Sequence, residues 1–366
     1  MRPPVRFLSL TPGDDAREVR SAIDRVIERG WFVLGPEVEA FESEFASASH
    51  APHAVGVGSG TDAISLTLRA LGIGPGDEVI TTPLSAVFTA LAIAMVGARA
   101  VFADIDPTRL TVDPEQIAPL IGPKTRAIVP VHLYGQPADM SGIERIAARH
   151  GLAIVEDCCQ AHLATAEGRP VGTIGVAGAF SFYPTKNLGA LGDGGAIVTR
   201  DAALADRIRR LRNGGQRGRY DHDEFGVNSR LDEIQAAVLR ARLPHLRTWT
   251  SRRRELAARY RAGLGSTSIA VPPECDSGHV YHLFVVRVPD RDKFQRHLAA
   301  DGIETLVHYP MPIPRQLAFA TTAPADCPIA ARACAEVLSL PLHPGLSDGD
   351  IDSVISAVKG HDGCTR

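Results

Sequence analysis

Nothing in this sequence is built for a membrane. No window approaches the roughly 18 unbroken apolar residues of a span, and the opening MRPPVRFLSL lacks the apolar core of a secretory leader. An excess of one charge is missing too. Lys and Arg total 39 against 42 Asp and Glu, so no electrostatic footprint for nucleic acid or an anionic lipid surface is present. The basic run Arg252-Arg253-Arg254 reads as the solvated face of a helix. Cysteine is sparse, at six residues, with Cys158 and Cys159 adjacent and no CxxC pair. That spacing fits neither a zinc knuckle nor a disulfide framework, so no metal is expected, and free thiols in a reducing cytoplasm are.

What is there is ordinary in bulk. The chain has 366 residues, 45% hydrophobic and 22% charged, enough for a large core and, by length, two domains. Strand and helix signals alternate through the first two-thirds. Val19, Ile23, Val26 and Ile27 recur at helical spacing before Gly30. Strands are expected at 54–57, 78–82, 100–103, 125–131, 152–157 and 179–183, with helices at 61–71 and 86–96 between them. Short strands, apolar on both faces and separated by helices, make a mostly parallel sheet covered on both sides. Ligands of such sheets collect at the carboxyl ends of the strands.

A helix through Leu231, Ile234, Val238 and Ala241 runs into Pro244, and there the rhythm changes. A basic helix at 250–264, a strand at 281–288 and a closing helix at 351–358 follow. The expected division is a large α/β domain over 1–245 and a smaller α+β domain over 246–366.

Three places carry chemistry. In GVGSGTDAIS, Gly56 to Ser65, a strand ends and a helix starts near Thr61. Free N–H groups and the positive end of the helix dipole suit a phosphate there. A plain glycine-rich turn fits equally well, because Thr61 stands where a dinucleotide fingerprint needs its third glycine. In GLAIVEDCCQAH, Asp157 closes an apolar run at a strand end, where a carboxylate needs a cation: a metal, an arginine or a protonated ring nitrogen. Glu156 points to the other side of that strand. In FSFYPTKNLGALGDGG, Lys186 sits in a polar, glycine-rich turn, where desolvation would lower its pKa and free its amine as a nucleophile. In that order, an anion hole, a strand-end carboxylate and an amine are the three anchors of pyridoxal phosphate.

The chain resembles the DegT/DnrJ/StrS-type sugar aminotransferases, pyridoxal phosphate enzymes of the aspartate-aminotransferase fold (fold type I). The likeness runs nearly end to end, through residues 30–38, 58–63, 130–136, 156–162, 181–189, 192–196, 226–237 and 308–312. It implies that Lys186 holds the cofactor covalently and shuttles a proton. It also implies that Asp157 pairs with the ring nitrogen, that Gln160 contacts the ring hydroxyl side, and that Gly60, Thr61, Asp62 and Ser181 take the phosphate. Asn228 is implied to reach the phosphate across a homodimer interface, with Arg230, His308 and Tyr309 as substrate contacts.

Two departures stand out: Ala86 replaces an aromatic that stacks on the cofactor ring in many members, with Phe88 nearby, and Pro314 replaces a second histidine. The family aminates nucleotide-linked keto sugars, usually from L-glutamate. Residues 212–216, Tyr220, 226–232, 281–283 and 305–310 look more like members acting on dTDP-linked 3-keto-6-deoxyhexoses than on 4-keto sugars. A 4-keto sugar, a keto-cyclitol or a non-catalytic role are the alternatives. Sugar dehydration, which uses a histidine at this lysine, is disfavoured by Lys186.

Overall fold

The computed structural model describes residues 4–364, with side chains to His361. At its centre lie β1 (His53–Val57), β2 (Glu78–Thr81), β3 (Arg99–Phe102), β4 (Thr125–Val129), β5 (Ala153–Asp157), β6 (Ala177–Ser181) and β7 (Gly195–Thr199). They form one seven-stranded sheet in the order β1-β7-β6-β5-β4-β2-β3. Strand β7 is antiparallel to β1 and β6, and every other pairing is parallel. This is the mostly parallel α/β sheet that the sequence leads one to expect.

Period-two alternation explains why the strands look apolar throughout. Val55, Val79, Val129, Val155 and Ile197 enter one core, while Ala54, Ile80, Ile128, Ile154 and Val198 enter the core on the opposite face. Helices α1 (Ala16–Arg29), α2 (Pro36–Ala48), α3 (Gly60–Ala70), α4 (Phe88–Met95), α5 (Met140–His150), α6 (Ala202–Leu211) and α7 (Glu233–Arg242) belong to this part of the chain. Helix α1 stops where expected, at Gly30 with φ 68°, a conformation glycine adopts without strain. Helix α4 begins two residues later than the apolar run suggested, at Phe88.

The start of α2 has a different device. Glu233, fully buried, accepts the N–H groups of Gly35, Glu37 and Val38, each at 2.9 Å. One carboxylate from α7 thus satisfies the free donors at the start of α2 and places negative charge at its positive end.

After α7 come α8 (Leu246–Leu264), β8 (Phe284–Arg287), α9 (Arg291–Ala300), α10 (Pro328–Glu336), β9 (Val337–Leu340) and α11 (Asp348–Cys364). Strands β8 and β9 pair antiparallel. A third core gathers Leu256, Tyr260, Phe284, Phe294, Leu340 and Val354, and Val5 from the N-terminal end joins it. None of the described helices is long and apolar enough to cross a membrane.

Two sequence readings need correction here. Arg253 is not solvated: it is buried, and its Nη1 donates to the carbonyls of Tyr281, His282 and Leu342 at 3.3, 3.3 and 2.8 Å. Only Arg252 and Arg254 face outward. The strand expected at 281–288 is confined to 284–287, because Tyr281 is left-handed (φ 48°) and its carbonyl is committed to Arg253.

Glu233→Ala would strand three donors at the buried start of α2. A loss of about 3 kcal/mol or more is expected, read as a lower urea midpoint, with Glu233→Gln in between. A variant unfolding at the wild-type midpoint would show that this cap is dispensable.

Candidate active site

Strands β1, β5 and β6 run in one direction and therefore end on one edge of the sheet. Their last residues and the turns after them build the site.

After β1, Ser59 caps α3: its Oγ accepts the Asp62 N–H at 3.1 Å, and its carbonyl accepts the Ala63 N–H at 3.0 Å. Among the described residues no acceptor meets the N–H of Gly60 or Thr61. A Cβ on Gly60 would lie 2.7 Å from both Cys159 Sγ and Ser181 Cβ. Only glycine allows α3 to start so close to the end of β6, and that approach sets two free N–H groups beside Ser181. Asp62 is differently employed. Its N–H belongs to the cap, and its carboxylate accepts from Ser229 Oγ at 2.8 Å, which itself accepts the Gly58 N–H at 3.0 Å.

At the end of β5, Asp157 is buried, with both oxygens engaged. Oδ2 accepts from Thr89 Oγ1 at 2.6 Å and Oδ1 from the Cys159 N–H at 3.0 Å. These two donors fix the direction of the carboxylate. Glu156 does turn away, as alternation requires. It accepts the N–H groups of Gly172, Ile174 and Gly175 at 2.8 Å each and meets His132 Nε2 at 3.1 Å. His132, Glu156 and Cys158 form a buried cluster of metal-ligand types, yet the carboxylate there is already satisfied by backbone donors.

Lys186 follows β6 in a turn closed by its own N–H to the Tyr183 carbonyl at 2.8 Å. Its side chain is half-buried, and among the described residues its ammonium forms no hydrogen bond or ion pair. Burial lowers its pKa, opposed in part by the nearby Cys159 and Asp157. In return its charge acts on three histidines. Burial and Lys186 together bring His162 down to about 3 and His308 to about 4, and drive His282 well below its ordinary value. His162 Nε2 donates to the Ser181 carbonyl at 2.9 Å, while its Nδ1 is buried without a partner.

Gln160 is buried between two tyrosines. Its Oε1 accepts the Tyr134 N–H at 2.7 Å and its Nε2 donates to Tyr309 Oη at 3.1 Å. Tyr134 Oη donates to the His308 carbonyl, and His308 Nδ1 lies 2.9 Å from Ser339 Oγ. So Gln160, His308 and Tyr309 form one connected wall. Arg230 is tied elsewhere, to Asn213 Oδ1 at 3.0 Å, and Asn228 is exposed. Phe88 is exposed at the head of α4, and Pro314 lies buried in a 3-10 turn.

Thr89 escaped the sequence reading, while Tyr134, Asn187 and His282 lay inside the matching stretches without a role of their own. Asn187 Nδ2 donates to the Val280 carbonyl at 3.1 Å and its Oδ1 faces His282 Nδ1 at 3.2 Å, fixing the turn that carries Lys186. The one available signal was Asn187's place next to the lysine.

The arrangement offers two helix-start N–H groups with a hydroxyl, a pinned carboxylate and an unpaired amine of lowered pKa. It fits an anionic group at one end of a ligand, a cationic nitrogen at the other and an electrophilic carbon near Lys186.

Comparison with known proteins points the same way. The DegT/DnrJ/EryC1/StrS aminotransferase family matches residues 14–359. The dTDP-3-amino-3,4,6-trideoxy-alpha-D-glucose transaminase of Streptomyces venezuelae is 49% identical over 363 residues, 98% of this chain and 96% of that protein. The crystal structure of S. venezuelae DesV in complex with a ketimine intermediate aligns with TM-score 0.95 at 48% identity, covering 99% of each chain. NtdA from Bacillus subtilis, solved with bound cofactor PMP, aligns with TM-score 0.92 at 32% identity over 98% of this chain and 85% of that one.

A lowered pKa means that a larger share of Lys186 is neutral amine at any given pH. Its reductive methylation by formaldehyde should therefore reach half-maximal rate at a lower pH in the folded protein than in the denatured chain, whose lysine titrates near ~10.4. Peptide mapping reads this directly. A folded-state midpoint at or above the denatured one would remove the desolvated amine.

Proposed function

The chain belongs to the DegT/DnrJ/EryC1/StrS aminotransferase family, and from that premise we propose that it moves an amino group from L-glutamate to C3 of a dTDP-linked 3-keto-6-deoxyhexose. The observation that carries this reading is Lys186: a half-buried amine with no partner, beside a carboxylate whose oxygens are already held by Thr89 and Cys159. The similarity to the S. venezuelae transaminase supports the choice of C3 and of the dTDP carrier.

The residues fit pyridoxal phosphate, which when bound supplies an aldehyde for amine capture and an electron-withdrawing ring. Gly60 and Thr61 N–H groups with the Ser181 hydroxyl would hold the phosphate, and Asp62 would shape that loop through Ser229 rather than touch the anion. Asp157 would keep the ring nitrogen protonated. Gln160, held by Tyr134 and Tyr309, would face the ring hydroxyl. Lys186 Nζ, neutral, would accept the proton from the donor's Cα and later deliver one to sugar C3. His308 and Tyr309 would meet the sugar, and Arg230 would offer its charge to the diphosphate.

We take the active form to be a cytoplasmic homodimer in which Asn228 reaches the partner's site. The exposure of Trp31, Phe32, Tyr220 and Phe225 supports a covered face there. The two domains are taken as 1–245 and 246–366.

Purified protein should be yellow, and borohydride should fix the cofactor to Lys186. With a panel of keto substrates and either glutamate or glutamine, NMR of the product should place the new amine at C3. An amine at C4, or conversion of a keto-cyclitol alone, would overturn the assignment. Lys186→Ala should lose at least about 10²-fold in turnover; retained turnover would take the lysine out of its role.

A further inference from the structure

Every residue of α4 except Thr89 is apolar, and Thr89 itself is 2% exposed. A threonine in a helix can turn its hydroxyl back to the carbonyl one turn earlier. Thr89 does otherwise: its Oγ1 donates to Asp157 Oδ2 at 2.6 Å, 68 positions along the chain. The other partner of Asp157 is local, since Oδ1 accepts the N–H of Cys159, two residues on. One hydrogen bond leaves a carboxylate free to swing about the contact, whereas two, one on each oxygen, fix its plane. Thr89 supplies the fixing bond, and it does so from a helix that packs against α3, β2 and β3.

What the carboxylate would do without that bond is set by its surroundings. Lys186 and Asp157 feel each other's charge. The other titratable groups facing the lysine are Cys159 and His162 after β5, His282 ahead of β8, and His308. At the alkaline pH where an amine titrates, the three histidines, all lowered by burial, are neutral. Burial raises the Cys159 thiol well above its ordinary value, and it pushes Tyr309, which faces Asp157, up to about 12. Of these groups Asp157 is the one left with a charge, so its direction decides how firmly the lysine holds its proton. A buried carboxylate oxygen deprived of its donor is costly until it finds another, and closing on the unpaired ammonium would supply one.

We propose that Thr89 is a positioning residue, whose hydroxyl withholds Asp157 from Lys186. The purpose of this device rests on the aminotransferase reading: one bond keeps the carboxylate turned to a cofactor's ring nitrogen and leaves the amine free. To that reading it adds a residue that acts through the carboxylate. Two substitutions separate the hydroxyl from the packing around it. Thr89→Val keeps the branched shape without the hydroxyl, and Thr89→Ser keeps the hydroxyl without the methyl group.

In full-length protein freed of cofactor, reductive methylation of Lys186 by formaldehyde, read by peptide mapping, gives the pH of half-maximal rate. A carboxylate that closes on the ammonium favours the charged form and raises its pKa. The midpoint of Thr89→Val should therefore lie about one pH unit above the wild type, a tenfold change in ionisation, while Thr89→Ser stays with the wild type. Absorbance titration with pyridoxal phosphate should show Thr89→Val binding at least about tenfold more weakly, the share of one charge-assisted hydrogen bond, because Asp157 must first leave Lys186. A Thr89→Val protein with the wild-type midpoint, or with the wild-type affinity where the wild type binds, overturns the proposal. So does Thr89→Ser moving as far as Thr89→Val, the signature of lost packing in α4. If Thr89→Val does not fold, Thr89→Ala compared with Thr89→Ser isolates the same hydroxyl, and equal midpoints refute the role. The function reading fails separately: wild-type protein that binds no pyridoxal phosphate loses that reading, and the methylation midpoints still decide Thr89.

Discussion

Opposite charges at the dry edge of a sheet tend to close on each other, and the site depends on Asp157 and Lys186 not doing so. At contact distance such a pair would gain ~4 kcal/mol even at an effective dielectric of 20. Instead the carboxylate spends its oxygens on Thr89 and the Cys159 N–H, both fixed by α4 and by the turn after β5. The lysine hangs from a different turn, pinned by Asn187 through Val280 and His282. Lys186 therefore bears the cost of burial without the full return of an ion pair, and its pKa falls. One constraint thus leaves a pinned carboxylate and an unpaired amine at the same edge, the pair that the proposed function uses.

That separation is made by the sheet. Parallel strands deliver their last residues to one edge, and β5 and β6 are neighbours, so Asp157 and the Lys186 turn start from adjacent positions. The α3 start is brought in by contact rather than by pairing: Gly60 lacks the side chain that would strike Cys159 and Ser181. Anion hole, carboxylate and amine are three products of one edge.

Much of this was legible from the chain. Short apolar runs gave the strands because alternation buries both faces, and Asp157 at a strand end carried its own argument, since alternation also sends Glu156 the other way. What escaped is informative. Thr89 sits in an almost wholly apolar helix, where a lone hydroxyl looks like a tolerated core residue; its partner is 68 positions away. Glu233 resembles any acid in a helix's first turn, and its role depends on the start of α2 nearly 200 residues earlier. Arg253 was hidden by its neighbours: three consecutive arginines suggest a solvated face, but a helix turns by 100° per residue and can bury the middle one. Partners distant in sequence leave no local trace.

The three histidines complete the electrostatic design. His162, His282 and His308 all lie within reach of Lys186's charge, and each is kept neutral by burial reinforced by that charge. Were any of them protonated, it would add a positive charge within reach of Lys186 and depress the lysine further. Neutral, they act only as hydrogen-bonding surfaces: His162 on the Ser181 carbonyl, His282 on Asn187, His308 on Ser339. Above about pH 5, His162 and His308, brought down to about 3 and 4, stay neutral, and His282 is lowered in the same direction, so under the proposed function Lys186 is left as the group that carries the proton. A site that must move one proton between two carbons gains from having a single base able to carry it.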